Sequence, residues 1–434
     1  MRILSSEVSK HIGEEVHIEG WLHKKRLLGG LTFINVRDRG GLVQVVLKDK
    51  EEVEKLRGLQ LGTVLQVTGV VTEEPRAPGG AELHDAKLLV LVPVEAESPI
   101  EIDKPLSHKP DNLDTLFDNR AIGLRNVQET AIFKIRSELL RYIRDFLYRN
   151  DFVEINTPKL VAGAAEGGAE VFKLDYFGKE ATLAQSPQLY KQIMVGVFER
   201  VFEIAPAFRA ELSATTRHVS EVTMLDVEMG FIDGQEDILN LLQDLVYDVL
   251  TRLYKDRADE LKALHAPELV LQPVFPRYTM KQIHQMYQEA TGKDMTKEID
   301  LTPDEEKWIC EYAKEHDGSE AVFATGLPES KMKFYHMKGE EGTARSADLL
   351  FRGIEISTVP QREHRHEHLV EQMKAAGVDP EAPGFAAYVS AFKHGLPAHG
   401  GFGFGIDRLT EKTIGLANVK EAILFPRDIN RLAP

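Results

Sequence analysis

The 434-residue sequence is poor in several features that each define a class of protein. It has one cysteine, Cys310, which excludes an intramolecular disulfide and a cysteine-cage metal site and is typical of a reducing compartment. It offers no stretch of about eighteen uncharged apolar residues, so we expect no membrane-spanning segment. Charges at Arg2 and Glu7 interrupt the region in which a signal peptide has its apolar stretch, and we therefore expect a cytoplasmic protein.

Positive charge and phosphate-binding loops are also scarce. The chain has 53 Lys and Arg against 69 Asp and Glu, a net charge of −16, which argues against a protein that coats nucleic acid through bulk charge. A specific nucleic-acid partner held by a local basic patch remains compatible with this balance. The sequence has no Gly-x-x-x-x-Gly-Lys-Ser/Thr loop, and the glycine-rich run 400–405 does not follow a βαβ pattern. P-loop and dinucleotide-binding proteins are therefore excluded.

Short alternating strands between turn signals dominate the first hundred residues. They lie at 16–22, 31–36, 42–47 and 64–71. About five strands in this length are typical of a small closed barrel, of which the oligonucleotide-binding (OB) fold is one kind. We expect this barrel domain to occupy residues 1–104.

The remaining chain has the pattern of an α+β fold. Prolines and polar residues predict a hinge at 105–128. A helix with one apolar face follows from Glu129, and strands and helices then mix without a regular βαβ alternation. This pattern predicts an antiparallel sheet flanked by helices at 129–434, with a helical, charged insertion near 234–320.

Three groups of charged residues have spacings suited to phosphate chemistry. Arg209 and Arg217 flank a short polar loop, a suitable arrangement for an anion clamp. Arg408 follows the glycine-rich run at the start of an apolar helix, where it can hold a phosphate or stack on a ring. Asp348 and Glu355 are two nearby carboxylates that could hold Mg²⁺ beside phosphates.

These motifs occur in the order found in a known family. The segment 152–160 contains Thr157-Pro158. Phe208–Glu211 and Arg217-His218 follow it, and Gly403–Leu409 comes near the C-terminus. With them the chain resembles the class II aminoacyl-tRNA synthetases of the aspartyl, asparaginyl and lysyl subgroup (class IIb), which carry an N-terminal OB-fold anticodon-binding barrel. Segments 164–168 and 185–192 are similar to those of short, archaeal-type (type 2) aspartyl enzymes. The resemblance covers nearly the whole chain.

The resemblance implies a role for each matching residue. Arg209 and Arg408 are the implied catalytic residues, and ATP, with Mg²⁺, is the implied cofactor. The implied ATP contacts are Arg209, Ala210, Glu211, Arg217, His218, Val219, Glu355, Gly403, Phe404, Gly405, Ile406 and Arg408. The implied aspartate contacts are Glu166, Gln188, Leu189, Tyr190, Lys191, Arg209, Thr358 and Arg362, and the implied Mg²⁺ ligands are Asp348, Glu355 and Thr358. The implied reaction is attack of the L-aspartate carboxylate on the α-phosphate, followed by acyl transfer to tRNA.

One segment departs from the family pattern. Thr358-Val359-Pro360 replaces the small residues that usually precede Gln361-Arg362, so the floor of the amino-acid pocket differs. An asparaginyl enzyme, or an amino-acid-activating paralogue, therefore remains an alternative. A non-catalytic nucleic-acid-binding module is a further alternative, but it would have no need of Arg209, Arg408, Asp348 and Glu355. Lys191 favours aspartate, because an ammonium neutralises a carboxylate side chain.

The barrel carries the implied tRNA contacts. Phe33 would stack on an anticodon base, although it could equally be barrel core, and Gln44 would bind a base by hydrogen bonds. His23 and Pro78 are residue types that the resembling enzymes carry when they accept both tRNA(Asp) and tRNA(Asn). We therefore expect a non-discriminating enzyme whose Asp-tRNA(Asn) is destined for an amidotransferase. The resemblance also implies a homodimer, because Thr157-Pro158 belongs to the motif that builds the dimer interface in this class.

Overall fold

A computed structural model describes residues 2–28, 31–104, 110–162, 171–212, 215–295 and 297–434. The chain divides into two compact units, Met1–Thr130 and Ala131–Pro434. The division falls inside one long helix, and the domain limits expected from the sequence remain a prediction. In the part of the chain described here, no helix is long and apolar enough to cross a membrane.

The first unit contains a closed five-stranded barrel, which confirms the OB-fold expectation. Its order is β1-β2-β3-β5-β4. The elements are a 3-10 helix at Ser5–His11, β1 (Glu15–Leu28), β2 (Leu31–Asp38), β3 (Gly41–Leu47), α1 (Lys50–Arg57), β4 (Val64–Glu73) and β5 (Ala81–Val92). Alternate residues point inward, so that Ile34 and Val36 of β2 are fully buried while Phe33 and Arg37 are on the outer face. Helix α1, which the sequence pattern did not predict, lies between β3 and β4.

The segment predicted as a hinge contains two short helices, α2 (Pro110–Asp118) and α3 (Arg120–Gly123). They precede the long helix α4 (Val127–Arg149). Arg120 and Glu129, both fully buried, form an ion pair of 2.8 Å within the first unit. Within the predicted hinge, the described residues 110–128 are therefore largely helical.

The second unit is built on an eight-stranded mixed sheet of order β12-β13-β14-β15-β16-β11-β10-β6. The six central strands are antiparallel, as predicted, but both edge strands, β12 and β6, pair in parallel. A smaller sheet has the order β7-β9-β8. The strands are β6 (Val153–Glu154), β7 (Leu160–Val161), β8 (Lys173–Tyr176), β9 (Lys179–Leu183), β10 (Arg200–Phe208), β11 (Glu221–Gly230), β12 (Arg277–Thr279), β13 (Ala321–Thr325), β14 (Ser346–Phe351), β15 (Ile354–Pro360) and β16 (His399–Gly405).

Helices cover this sheet. They are the later part of α4, then α5 (Gln188–Phe198), α6 (Gln235–Asp256), α7 (Ala258–Ala263), α8 (Met280–Thr291), α9 (Pro303–His316), α10 (His366–Ala375), α11 (Ala386–Lys393) and α12 (Ile406–Ile414). The predicted apolar face of α4 lies in the main core, together with eight apolar residues of α6. Section 234–320 is therefore helical as predicted, but α6 and β12 are integral parts of the core and the sheet.

Candidate active site

A cavity of about 390 Å³ opens in the second unit between strands β11, β15 and β16 and the start of α12. Most of the residues predicted from the sequence to bind ATP, aspartate or metal line it. These are Gln188, Arg209, Glu211, Arg217, His218, Val219, Glu355, Thr358, Arg362, Gly403, Gly405 and Arg408. The sheet brings them together from segments more than two hundred residues apart in the chain.

Strand β16 shows why only part of the glycine-rich run can contact a ligand. Gly403 and Gly405 line the cavity, whereas Phe402, Phe404 and Ile406 are fully buried in the main core. Side chains alternate between the two faces of a strand, so Gly403 and Gly405 lie on one face of the sheet and Phe402 and Phe404 lie on the other. The predicted contact of Phe404 and Ile406 with ATP would therefore have to use their main chain and not their side chains.

Other predicted residues lie beside the cavity. Leu189 and Tyr190 line a second cavity of about 180 Å³, which shares Gln185 and Ser186 with the first. Ala210 is half-buried next to Arg209. Glu166 lies outside the described residues.

Three arginines define one end of the cavity. Arg217 pairs with Glu306 of α9 at 2.9 Å, and Arg408 donates to the main-chain oxygen of Glu355 at 2.9 Å. Within the described residues, the guanidinium of Arg209 has no carboxylate partner. Burial, and then the charge of Glu355, raise the pKa of Glu306. This end therefore has cationic groups that are free or easily released to bind an anion.

Beside the arginines lies a pair of carboxylates. Asp348 on β14 is paired in register with Thr358 on β15, and the Thr358 hydroxyl donates to Glu355 at 2.9 Å. The buried Oδ1 of Asp348 has no hydrogen-bond partner among the described residues. Burial, and then the charge of Glu355, raise the pKa of Asp348 well above its usual range. Two oxygen donors that repel each other, one of them unpartnered, fit a hard divalent cation.

Few protein ligands are available at this point. In the part of the chain that the structure describes, no group of three or more His, Cys, Asp or Glu side chains is arranged to hold a metal ion. Among the described residues, Asp348 and Glu355 are therefore a pair of candidate ligands and not part of a larger cluster of such side chains.

The other end of the cavity rests on a buried network of four charges. The Arg362 guanidinium donates to both oxygens of Glu228 at 2.9 and 3.1 Å. Lys191 donates to Asp226 at 3.0 Å and to the main-chain oxygen of Phe402 at 3.1 Å, and lies 3.5 Å from Glu228. Although complete burial opposes it, Arg362 and Lys191 hold the pKa of Glu228 below its ordinary value.

This network changes the interpretation of Lys191. Its side chain is 1% exposed and its ammonium already has two carboxylate partners, so it is not among the described residues that line the cavity. Arg362 and Asp226 do line it. The predicted direct contact of Lys191 with a substrate carboxylate is therefore replaced here by contacts with Asp226 and Glu228.

The sequence analysis missed a lining segment just before β14. Lys333, Tyr335 and His336 line the cavity near Arg362. Burial, and then the charges of Arg362 and Lys333, hold the pKa of His336 well below its usual range. No spacing pattern connects this segment to the other motifs. Asp226 and Glu228 were also missed, although two carboxylates in the otherwise apolar second half of a strand are a signal that buried cations lie opposite.

The predicted anticodon residues lie on the barrel of the first unit. Phe33 and Gln44 are half-buried on the outer face of adjacent strands, and Gln44 donates to Glu82 at 2.7 Å. Pro78 begins a short 3-10 helix. His23 lies at a bulge of β1, and its side chain is buried, with 7% exposed.

A closed barrel of the oligonucleotide-binding type, together with an antiparallel-centred sheet that holds an arginine-rich cavity, defines a class of nucleic-acid-dependent enzyme. Residues 112–429 match the family described as tRNA synthetases class II (D, K and N). Residues 16–91 match the OB-fold nucleic acid binding domain. The chain belongs to the class II tRNA synthetases of the D, K and N group, ligases that use ATP to join an amino acid to tRNA.

Curated relatives and solved structures are similar over the full chain. The aspartate--tRNA(Asp/Asn) ligase of Thermus thermophilus is 44% identical, with 100% of both chains covered. The aspartate--tRNA(Asp) ligase of Pyrococcus abyssi is 41% identical, with 99% of both covered. The crystal structure of asparaginyl-tRNA synthetase from Pyrococcus horikoshii complexed with asparaginyl-adenylate has a TM-score of 0.91 at 30% identity, and covers 100% of both chains.

Proposed function

We propose that this enzyme attaches L-aspartate to tRNA(Asp) through an aspartyl-adenylate. The observation that carries the proposal is that both ends of the cavity are cationic. Arg209, Arg217 and Arg408 lie at one end, and Arg362 and Lys333 lie at the other. A triphosphate and a dicarboxylic amino acid would each meet cations there. The names of the relatives at 38–44% identity, all aspartate ligases, support the same substrate.

The triphosphate end would carry the chemistry. Arg209 would bind the α-phosphate and the reacting carboxylate, so that the carboxylate oxygen attacks phosphorus in line and pyrophosphate leaves. Arg217, His218 and Arg408 would bind the outer phosphates, and Glu211 would contact the adenine. These residues align the reactants and stabilise charge, and no covalent nucleophile is required.

Asp348, Glu355 and Thr358 would hold Mg²⁺ at this end. The unpartnered Oδ1 of Asp348 and the adjacent Glu355 supply two oxygen ligands. When bound, the ion would neutralise phosphate charge.

At the amino-acid end, Arg362 would bind the side-chain carboxylate of aspartate. Glu228 holds the Arg362 guanidinium in place by accepting its hydrogen bonds, and Lys191 compensates the negative charges of Glu228 and Asp226. Lys191 and Arg362 together balance Asp226 and Glu228, so Lys333 provides the additional positive charge that a carboxylate needs and an amide does not.

The proposal is tested by charging tRNA(Asp) and tRNA(Asn) transcripts with radioactive aspartate and with radioactive asparagine. We expect aspartyl-tRNA as the product. An asparaginyl enzyme is the second candidate, because the asparaginyl-tRNA synthetase of Pyrococcus horikoshii has a similar fold at a TM-score of 0.91. Charging with asparagine alone would establish that candidate instead.

We further propose that the enzyme also accepts tRNA(Asn) and supplies Asp-tRNA(Asn) to an amidotransferase. The names of the Thermus and Deinococcus radiodurans relatives, both Asp/Asn ligases, support this, as do His23 and Pro78 on the barrel. Phe33 and Gln44 would contact the anticodon bases. Aminoacylation of both transcripts tests the proposal, and a preference for tRNA(Asp) above about a hundredfold, near 2.7 kcal/mol, would overturn it.

We also propose that two copies form a homodimer through the region of Thr157-Pro158. Apolar side chains beside it are exposed, among them Val153 at 39% and Leu160 at 49%. Exposed apolar side chains close together are typical of an interaction surface.

A further inference from the structure

A chain of buried hydrogen bonds leads from the cavity wall into the second unit. Gln188 on α5 lines the cavity, and its Nε2 donates to Oε1 of Gln192 at 2.9 Å. Tyr388 on α11 donates to the same oxygen at 3.1 Å. The Gln192 Nε2 lies 2.9 Å from Nε2 of His399, whose Nδ1 lies 2.8 Å from the main-chain oxygen of Pro397.

The main-chain oxygen of Pro397 sets the donor and acceptor of every hydrogen bond in this series. A carbonyl oxygen only accepts, so Nδ1 of His399 carries the hydrogen, and in the neutral ring Nε2 is an acceptor. The Gln192 carboxamide must therefore turn its nitrogen toward His399 and its oxygen toward Gln188 and Tyr388. Gln188 in turn must present its nitrogen to Gln192, which leaves its oxygen as the end available to a ligand.

These bonds lie in a dry environment that makes a reversed orientation costly. Gln188 is 4% exposed, Tyr388 1%, and both Gln192 and His399 are 0%. A buried amide turned the wrong way would place donor against donor, with no water to relieve it.

We propose that His399 and Gln192 are positioning residues that hold the Gln188 carboxamide with its oxygen toward the cavity, where it accepts a hydrogen bond from the α-ammonium of the amino acid. This inference rests on the proposed function of amino-acid activation. An ammonium only donates, so the group that recognises it has to present an acceptor. The role of Gln188 is then recognition of the ammonium group, which aspartate and asparagine share, and not of the side chain.

The proposal includes a dependence on pH. Protonated His399 would donate from both nitrogens, so Gln192 would have to turn its oxygen to the ring and Gln188 would turn with it. The charged and titratable groups around the His399 ring are Glu228, Arg362 and His364. The aromatic ring of Phe392 also packs there, with 6.0 Å between the two ring centroids. Burial, together with the charges of Arg362 and His364, lowers the pKa of His399 against the opposing charge of Glu228, which keeps the ring neutral at pH 7.

The test compares two variants of similar size, His399→Gln and His399→Leu, in pyrophosphate exchange with the amino acid that the wild type activates. Glutamine restores an acceptor toward Gln192, so we expect its amino-acid KM within about threefold of wild type, whereas leucine should raise that KM by about tenfold or more, ~1.4 kcal/mol. The ATP KM should change little in both. The wild-type amino-acid KM should rise as the pH falls below the ordinary range of histidine titration, and that of His399→Gln should not.

A second pair of variants, at Gln192, tests the proposal independently in case the His399 variants do not fold. Gln192→Glu keeps an acceptor toward Gln188 and should retain the amino-acid KM, whereas the apolar Gln192→Met should raise it about tenfold. A packing role predicts the reverse order, because a buried charge is worse tolerated than methionine. Equal KM values within either pair, or the reverse order, would overturn the proposal. Absence of aspartate-dependent exchange in the wild type would instead reject the proposed substrate. The positioning role of His399 and Gln192 would then be tested by the same variants with asparagine.

Discussion

Lys191, Asp226, Glu228 and Arg362 form a compact group in which every charge has an opposite neighbour. Removing one member of such a buried group leaves a charge without compensation, and the loss is typically 3–5 kcal/mol. The group therefore supports both folding and the amino-acid end of the cavity.

Lys191→Met tests this dual role, because methionine preserves the volume of the side chain. We expect the free energy of unfolding to fall by roughly 3–5 kcal/mol and aspartate-dependent exchange to be lost, while ATP binding changes little. Urea denaturation and exchange kinetics measure the two effects. Lys173→Met is the control, since Lys173 pairs with Glu180 on the surface at 3.1 Å and contributes little. Similar small changes in both variants would contradict the role of Lys191.

Cys310 offers a second test on a single residue. It is buried in a cluster with Ile283, Ile309 and Val322, as expected for a packing residue, and burial raises the pKa of its thiol to about 12. Because the thiolate is the reactive form, we expect almost no reaction with a disulfide reagent at pH 8 in the folded enzyme and rapid reaction in denaturant. Fast stoichiometric labelling of the folded enzyme would show that this cluster is open.

At the scale of elements, strand β16 combines two kinds of glycine. A Cβ at Gly401 would lie 1.9 Å from the main-chain oxygen of Val227, whereas one at Gly403 would lie 3.5 Å from the terminal carbon of Met224. Gly401 is thus required by the close approach of β11, and Gly403 leaves space in the cavity.

Alanine at each position separates these two requirements. Gly401→Ala should lower the free energy of unfolding by about 1–3 kcal/mol or more, because the neighbouring strand has to move. Gly403→Ala should leave the stability within about 1 kcal/mol of wild type and raise the KM for ATP, since its methyl group enters the cavity. Denaturation curves and exchange kinetics distinguish the two variants, and equal stability losses would show that the packing argument is wrong.

At the scale of the whole molecule, the sequence predicted the elements better than the contacts between them. Alternation in 31–36 and 64–71 was sufficient for the barrel strands, and the apolar face of α4 identified a core helix. The partners of Lys191 could not be predicted in the same way, because Asp226 and Glu228 are 35 and more residues away and are brought close only by sheet pairing. The bulge of β1 between Leu22 and Lys24 likewise cannot be recognised in the alternation.

The proposed homodimer is the prediction that concerns the assembly. We expect light scattering at micromolar concentration to give a mass near twice 48.8 kDa. A charge placed in the exposed apolar surface, Leu160→Glu, should shift the enzyme toward monomer, because a desolvated unpaired charge opposes association. Lys173→Glu, which changes an exposed residue that is already charged, is the control. A monomeric wild type would refute the dimer.

The central claim, that the cavity activates aspartate, is tested most directly by pyrophosphate exchange with aspartate and asparagine side by side. The account predicts that kcat/KM for aspartate exceeds that for asparagine by at least about a hundredfold, ~2.7 kcal/mol. The reason is that the positive charges of Arg362 and Lys333 bind a carboxylate side chain more strongly than an amide. Exchange that depends on asparagine as well as or better than on aspartate would contradict it.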